Sequence, residues 1–155
     1  MKHLLQLRFK IGSFLFLLAF ASLLGGSGCK DDDAVSFGKQ LEGDWQATSF
    51  KFDGEEALGF QGDGGINQFE IELSDFNDAD DEGDVRITYQ FYGFPAATPV
   101  NGDYTVNSEG DEIEMPDFLT NPAVKFTWNI DKFDTDDLVL SANYQGTDIQ
   151  IELER

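Results

Sequence analysis

The stretch Val124-Lys-Phe-Thr-Trp-Asn-Ile-Asp131 puts Val124, Phe126, Trp128 and Ile130 at every second position, with Lys125, Thr127, Asn129 and Asp131 between them. Successive side chains of an extended chain point to opposite faces, so this reads as a strand with one dry and one wet side. The same alternation recurs on both sides of it. Phe69, Ile71 and Leu73 oppose Gln68, Glu70 and Glu72, and Val85, Ile87, Tyr89 and Phe91 oppose Arg86, Thr88, Gln90 and Tyr92. Leu138, Leu140, Ala142 and Tyr144 share one face, and Ile149, Ile151 and Leu153 oppose Gln150, Glu152 and Glu154. Tyr104–Val106 and Ile113–Met115 are shorter candidates, and Trp45 and Ala47 begin the first strand. No segment after residue 40 keeps a helical period.

Turn chemistry separates these runs at Asn101-Gly102, Glu109-Gly110-Asp111, Asp134 to Asp137 and Gln145-Gly146. Residues 75–84 read as an acidic connection, 62–65 as a flexible one, and Pro95 to Pro99 as a rim loop. The expected fold class is all-β, an antiparallel meander of eight strands with one core. An open meander leaves two unpaired edges, so closure into a barrel is the favoured solution and a two-sheet β-sandwich the alternative.

Length and charge limit what such a domain can do. The chain has 155 residues, enough for one core-forming domain, with 10 basic against 30 acidic residues and a formal charge of −20. A nucleic-acid partner requires clustered Lys and Arg to displace counterions, so none is expected. The single histidine, His3, and the single cysteine, Cys29, both lie near the N-terminus. After residue 29 no Ser-His or Cys-His pair and no His/Cys metal site can form. The expectation is a protein that is not an enzyme and has no cofactor.

The first 28 residues read as an export address. Lys2, Arg8 and Lys10 precede an uncharged run from Ile11 to Leu24, and Gly25-Gly26-Ser27-Gly28 follows it. Fourteen residues rise about 21 Å as a helix, short of the roughly 30 Å hydrocarbon core. Basic start, short apolar run and small residues describe a signal peptide over 1–28. Leu23-Leu-Gly-Gly-Ser-Gly-Cys29 resembles the lipobox of bacterial lipoproteins. That resemblance implies cleavage before Cys29, lipidation of its thiol and attachment to a membrane through three chains. Residues 29–40 then form a lipidated acidic tether. Lys30-Asp-Asp-Asp33 resembles the surface-export signal of some Gram-negative lipoproteins, which implies the outer membrane and its cell-surface face.

A second resemblance covers residues 41–155. Leu41-Glu-Gly-Asp-Trp45 looks like the Gly-x-Trp start of lipocalins and related calycin barrels, where the tryptophan plugs one end. Gly102-Asp-Tyr-Thr-Val106, Ile113-Glu-Met115, Trp128-Asn-Ile130, Leu138-Val-Leu140 and Ile149-Gln-Ile-Glu-Leu153 follow in an order similar to the lipocalin-like lipoproteins of Gram-negative bacteria. The resemblance implies a closed barrel able to hold a small ligand. Trp45, Tyr89, Phe91, Trp128 and Tyr144, with Phe126, share the inward parity and are the candidate ligand-binding residues. Such bulky side chains either fill the interior or line a small apolar or glycan site. The alternatives to ligand binding are an accessory role on an envelope protein partner, or a calcium-dependent adhesive domain.

Two further clusters bear on those alternatives. Asp78, Asp80, Glu82 and Gly83 match the front half of an EF-hand loop, but Tyr89 stands where the closing glutamate belongs and Arg86 occupies a ligand position. The EF-hand reading therefore fails, and a solvated hairpin loop is the favoured one. Phe50 and Phe52 have the parity opposite to Trp45 unless a bulge intervenes. With Phe60 they form either an exposed apolar patch or, as expected here, a cluster covered by the loop after Asp53-Gly54.

Overall fold

Residues 35–155 are described by the computed structural model, and they make one compact unit. The signal peptide, Cys29 and Lys30-Asp-Asp-Asp33 lie outside the described residues. A short helix, α1 (Phe37–Leu41), is followed by nine strands: β1 (Gly43–Phe52), β2 (Glu55–Glu56), β3 (Ile66–Asn77), β4 (Glu82–Phe91), β5 (Thr98–Val106), β6 (Glu112–Pro116), β7 (Lys125–Phe133), β8 (Asp137–Tyr144) and β9 (Thr147–Glu154). Residues 36–40, assigned to the tether from sequence, thus belong to the folded unit; Ser36 caps α1 by accepting from Lys39 N.

Each strand from β3 to β8 pairs antiparallel with the next, and β1 pairs with both β3 and β9. Eight strands therefore close into a barrel, and the sandwich alternative falls. The extra strand, β2, folds back on β1, where the Glu56 carboxylate accepts from Ser49 Oγ at 2.6 Å and from the amides of Phe50 and Leu58, both at 2.9 Å. The core is the inward set that the alternation marks, from Trp45 and Ile71 through Ile87 and Trp128 to Leu140 and Ile151, each under 2% exposed.

Several expectations are corrected, each for a local reason. Val124 precedes β7 and is 53% exposed, because the β6–β7 loop turns at Asn121 and the strand begins only at Lys125. Asn101-Gly102 is not a turn but lies within β5, opposite Arg86 and Val85. Gly102 is there for close approach: a Cβ on it would sit 2.6 Å from the Pro116 ring. Pro99 is likewise in β5, opposite Thr88, so the rim loop is residues 92–97. The acidic connection shrinks to residues 78–81, since β3 continues through Asn77 past an irregular register and buries Phe76.

Phe50 and Phe52 behave in the one way that the loop-cover expectation did not favour. A bulge between Ala47 and Ser49 restores inward parity, so Phe50 pairs with Ile151 and is fully buried against Phe69. Phe52 is half-buried beside it. Phe60 alone stays out, 55% exposed.

Candidate functional site: an aromatic mouth opposite a sealed end

Strand directions give the barrel two distinct ends. β1 starts and β9 finishes at the end that carries α1, together with the β3–β4, β5–β6 and β7–β8 turns. The other end collects residues 53–65, the 92–97 loop, the 117–124 loop and the Gln145-Gly146 turn.

The α1 end is sealed. Trp45 Nε1 donates to Leu41 O at 2.8 Å, Tyr104 Oη to Gly38 O at 3.2 Å, and Arg155 to Gln40 O at 2.7 Å. The Arg155 guanidinium lies 4.2 Å over the Trp45 ring, and Phe133 packs edge-on against both Phe37 and Trp45. Burial, with Glu42 nearby, pushes the Tyr104 phenol well above its ordinary value, so it remains a donor. Trp45 thus stands at the plugged end that the resemblance implied, away from the other candidate residues.

Those others meet at the opposite end, around a side chain that sequence reasoning missed. Phe118 comes from the β6–β7 loop, not from a strand, yet is 4% exposed. Its ring stacks on Trp128 with centroids 5.6 Å apart and planes 7° apart, and lies 5.0 Å from Phe69 and 5.8 Å from Tyr89. Tyr89 contacts Phe91 at 5.5 Å, while Phe126 contacts Trp128 at 5.4 Å and Tyr144 at 5.2 Å. Tyr89, Phe91, Phe126 and Tyr144 are half-buried, which makes this end an aromatic mouth with Phe118 as its stopper. The signal in the sequence was two apolar residues, Phe118-Leu119, inside a loop bounded by Pro116 and Pro122.

The stopper is latched by a carboxylate. Asp117, 8% exposed, accepts from Thr120 Oγ1 at 2.6 Å, from Tyr144 Oη at 3.1 Å, and from the amides of Leu119 and Thr120 at 3.0 and 3.1 Å. Burial works to raise its pKa, but these four hydrogen bonds outweigh it and hold the carboxyl below its ordinary value. Nearby, Trp128 Nε1 is buried without a hydrogen-bond partner. A buried unpaired donor costs on the order of 1–3 kcal/mol, so it marks a place where a partner would be gained.

The outside of the mouth is apolar as well. Phe60 and Phe94 are 55% and 65% exposed, and Tyr92 is 43% exposed. Tyr92 N donates to Gly65 O at 2.8 Å, tying the two loops that carry them. The wall below is different: a groove of about 560 Å³ runs over β1, β3, β4 and β9, lined by polar residues such as Gln46, Glu70, Arg86 and Thr88. These are the outward residues of a wetted wall. Among the described residues, no group of three or more His, Cys, Asp or Glu side chains is placed to hold a metal ion.

The described chain is therefore an eight-stranded antiparallel barrel, sealed at one end and stoppered by a loop at the other. No family model and no curated protein matches it. Among solved structures it is similar to Japanin from Rhipicephalus appendiculatus, in an orthorhombic crystal form bound to cholesterol, at 11% identity and a TM-score of 0.48, covering 72% of this chain and 73% of that one. The fold class stands on this chain's own closed strand order.

Proposed function

We propose that this is a non-catalytic lipoprotein with a lipocalin-like barrel, held by lipid on Cys29 to the outer membrane of a Gram-negative bacterium, facing the cell surface, and taking a small apolar ligand at the aromatic mouth. The observation that carries the ligand reading is the asymmetry of the ends. Polar groups seal one end through α1, while half-buried aromatic side chains and exposed apolar ones gather at the other. The leader and its cysteine support the anchor, and the domain then needs no membrane-binding face of its own.

Native mass spectrometry of protein purified from its own cells tests the ligand. A retained small molecule released on activation is expected; bare lipidated polypeptide from every preparation overturns the reading. Fatty-acid labelling tests the anchor, since Cys29→Ser should abolish label and membrane retention. A second reading has its own support. The interior is filled by side chains, and Phe60, Tyr92 and Phe94 face solvent together, which would suit an accessory protein docking on an envelope partner. Co-purification of a defined partner that is lost on replacing Phe94 by Ser would favour it.

A further inference from the structure

We infer that the mouth rim docks on a zwitterionic lipid surface through Phe60, Tyr92 and Phe94, and that an apolar ligand passes there between bilayer and barrel without crossing water. The inference rests on the ligand reading of the mouth and names the partner from which the ligand is drawn.

Three observations combine. Among the described residues five large hydrophobic side chains are exposed, and four of them, Phe60, Tyr92, Phe94 and Val124, belong to the loops of the mouth end. The segment of Phe60 and the 92–97 loop are drawn together. Tyr92 N donates to Gly65 O, and Gly65 lies so close to the Phe60 backbone that a Cβ on it would sit 1.9 Å from the Phe60 carbonyl oxygen. Apolar side chains gathered in the open at one end mark a contact surface.

The second observation is the distribution of charge. The formal charge of −20 is collected away from the rim. At the α1 end, turns 78–81, 107–111 and 134–136 carry three, two and two acidic residues and no basic one. At the mouth, residues 92–97, 118–124 and 145–146 carry no charge. In the 53–65 segment, Asp53 accepts from the Asp148 amide at 2.9 Å and Glu56 from those of Phe50 and Leu58, which leaves Glu55 and Asp63. Tilted strands of eight residues, such as β8 and β9, separate the two ends by about 20 Å, against a Debye length of about 8 Å. The acidic turns are therefore screened from whatever the rim touches.

The third is continuity. Phe91, half-buried, adjoins Tyr92 and contacts Tyr89, so the apolar surface runs unbroken from the rim into the mouth. An apolar ligand is driven out of water, and such a path spares it that crossing. Aromatic tips on uncharged loops offer a protein partner little to fix its register. They suit the headgroup boundary, where apolar groups sink about 5–10 Å. With attachment assigned to the Cys29 lipid, the rim is left to serve exchange.

The test uses the full lipidated chain in phosphatidylcholine vesicles. Because the lipid occupies the Cys29 thiol, Ala96→Cys supplies one free thiol beside Phe94 for a fluorescent label, and Ala79→Cys supplies one in the acidic β3–β4 turn. Phosphatidylcholine with a nitroxide on its acyl chain quenches a dye only at bilayer depth. It is placed in the protein's own vesicles or in an added population. In one arrangement or the other the Ala96 label should dim about threefold, with the Ala79 label unchanged. Replacing both Phe60 and Phe94 by Ser should abolish the dimming, and both positions are exposed, so the core is spared. An Ala96 label no dimmer than the Ala79 label overturns the inference. A label shielded only when an envelope protein is added gives the rim to a protein partner and overturns it too. Native mass spectrometry separates the two readings. Retained ligand with an undimmed label overturns the docking alone, whereas dimming with no ligand in any preparation leaves the docking and ends the ligand reading.

Discussion

The two ends of the barrel solve the same problem differently. At the α1 end, the large polar-tipped side chains Trp45 and Tyr104 give their protons to carbonyls of one short helix, and Arg155 clamps that helix from the last residue of the chain. At the mouth, Trp128 gives its proton to nothing, and the covering ring is supplied by a loop pinned through a buried carboxylate. The first arrangement is finished; the second is held shut. An end that serves only stability has no reason to leave a buried donor unpaired, and one that must open has reason to build its cover from a loop.

If that contrast is right, deleting matched aromatic plugs should have unequal costs. Trp45→Ala removes a fully enclosed indole and its bond to Leu41, so a loss of about 3–5 kcal/mol is expected, as cores that cannot collapse usually show. In a thermal melt that corresponds to a fall in Tm of roughly 10–20 °C. Phe118→Ala is expected to cost only about 1–2 kcal/mol, because the loop can settle and water can enter the mouth. Urea unfolding of both variants decides it. Equal losses would mean that Phe118 is ordinary core and that the mouth is no less finished than the sealed end.

Each end was legible in part: the resemblance gave Trp45 as a plug and parity picked Tyr89, Phe91, Trp128 and Tyr144 of the mouth, but neither the helix α1 nor Phe118 was read. Alternation found Trp45, Trp128 and at least one inward residue in every barrel strand, because each strand has one wet face and any other register would expose its apolar set. It failed where the physical cause is tertiary. Gly102 reads as a turn residue but is a strand glycine making room for Pro116, a contact 14 residues away in sequence that no local pattern contains. Phe50 needed a bulge to turn inward, and a bulge leaves no mark in alternation except its apparent violation. Tyr89, Phe91, Trp128 and Tyr144 were picked by parity alone, which sorts residues by face and not by height along the barrel. It therefore placed Trp45 with them and passed over Phe118, whose burial comes from a loop.

A smaller effect sharpens the account of the sealed end. Arg155→Ala removes the cation over Trp45 and the hydrogen bond to Gln40 O while leaving the indole enclosed. At an exposed position this is worth about 0.5–1 kcal/mol. Hydrogen exchange should show the loss confined to the α1 amides, with the barrel amides unchanged. A drop spread over the whole barrel would show that α1 is part of the global folding unit and not a separate lid.

The mildest test uses acidity on the mouth. Asp117 is held below the ordinary carboxyl value of 3.8, so it stabilises the fold above that value, and the contribution is lost as pH falls through the still lower folded value. Tyr144→Phe deletes one of the four bonds that hold it low and lets the folded value climb toward the unfolded one. The wild type should therefore be more stable than the variant near neutrality, and the gap should close as pH falls below about 4. Glu56 and Asp134 are also held low, Glu56 by hydrogen bonds that outweigh its burial and Asp134 chiefly by the amides of Asp136 and Asp137, and both titrate in the same acid range. Neither bonds to Tyr144, so their titration is common to the two proteins and cancels in the difference. Chemical unfolding at a series of pH values reads that difference directly. A gap that stays constant down to pH 2 would show that the Tyr144 hydroxyl acts through its 2.6 Å hydrogen bond with Thr120 Oγ1 and not through the Asp117 carboxylate.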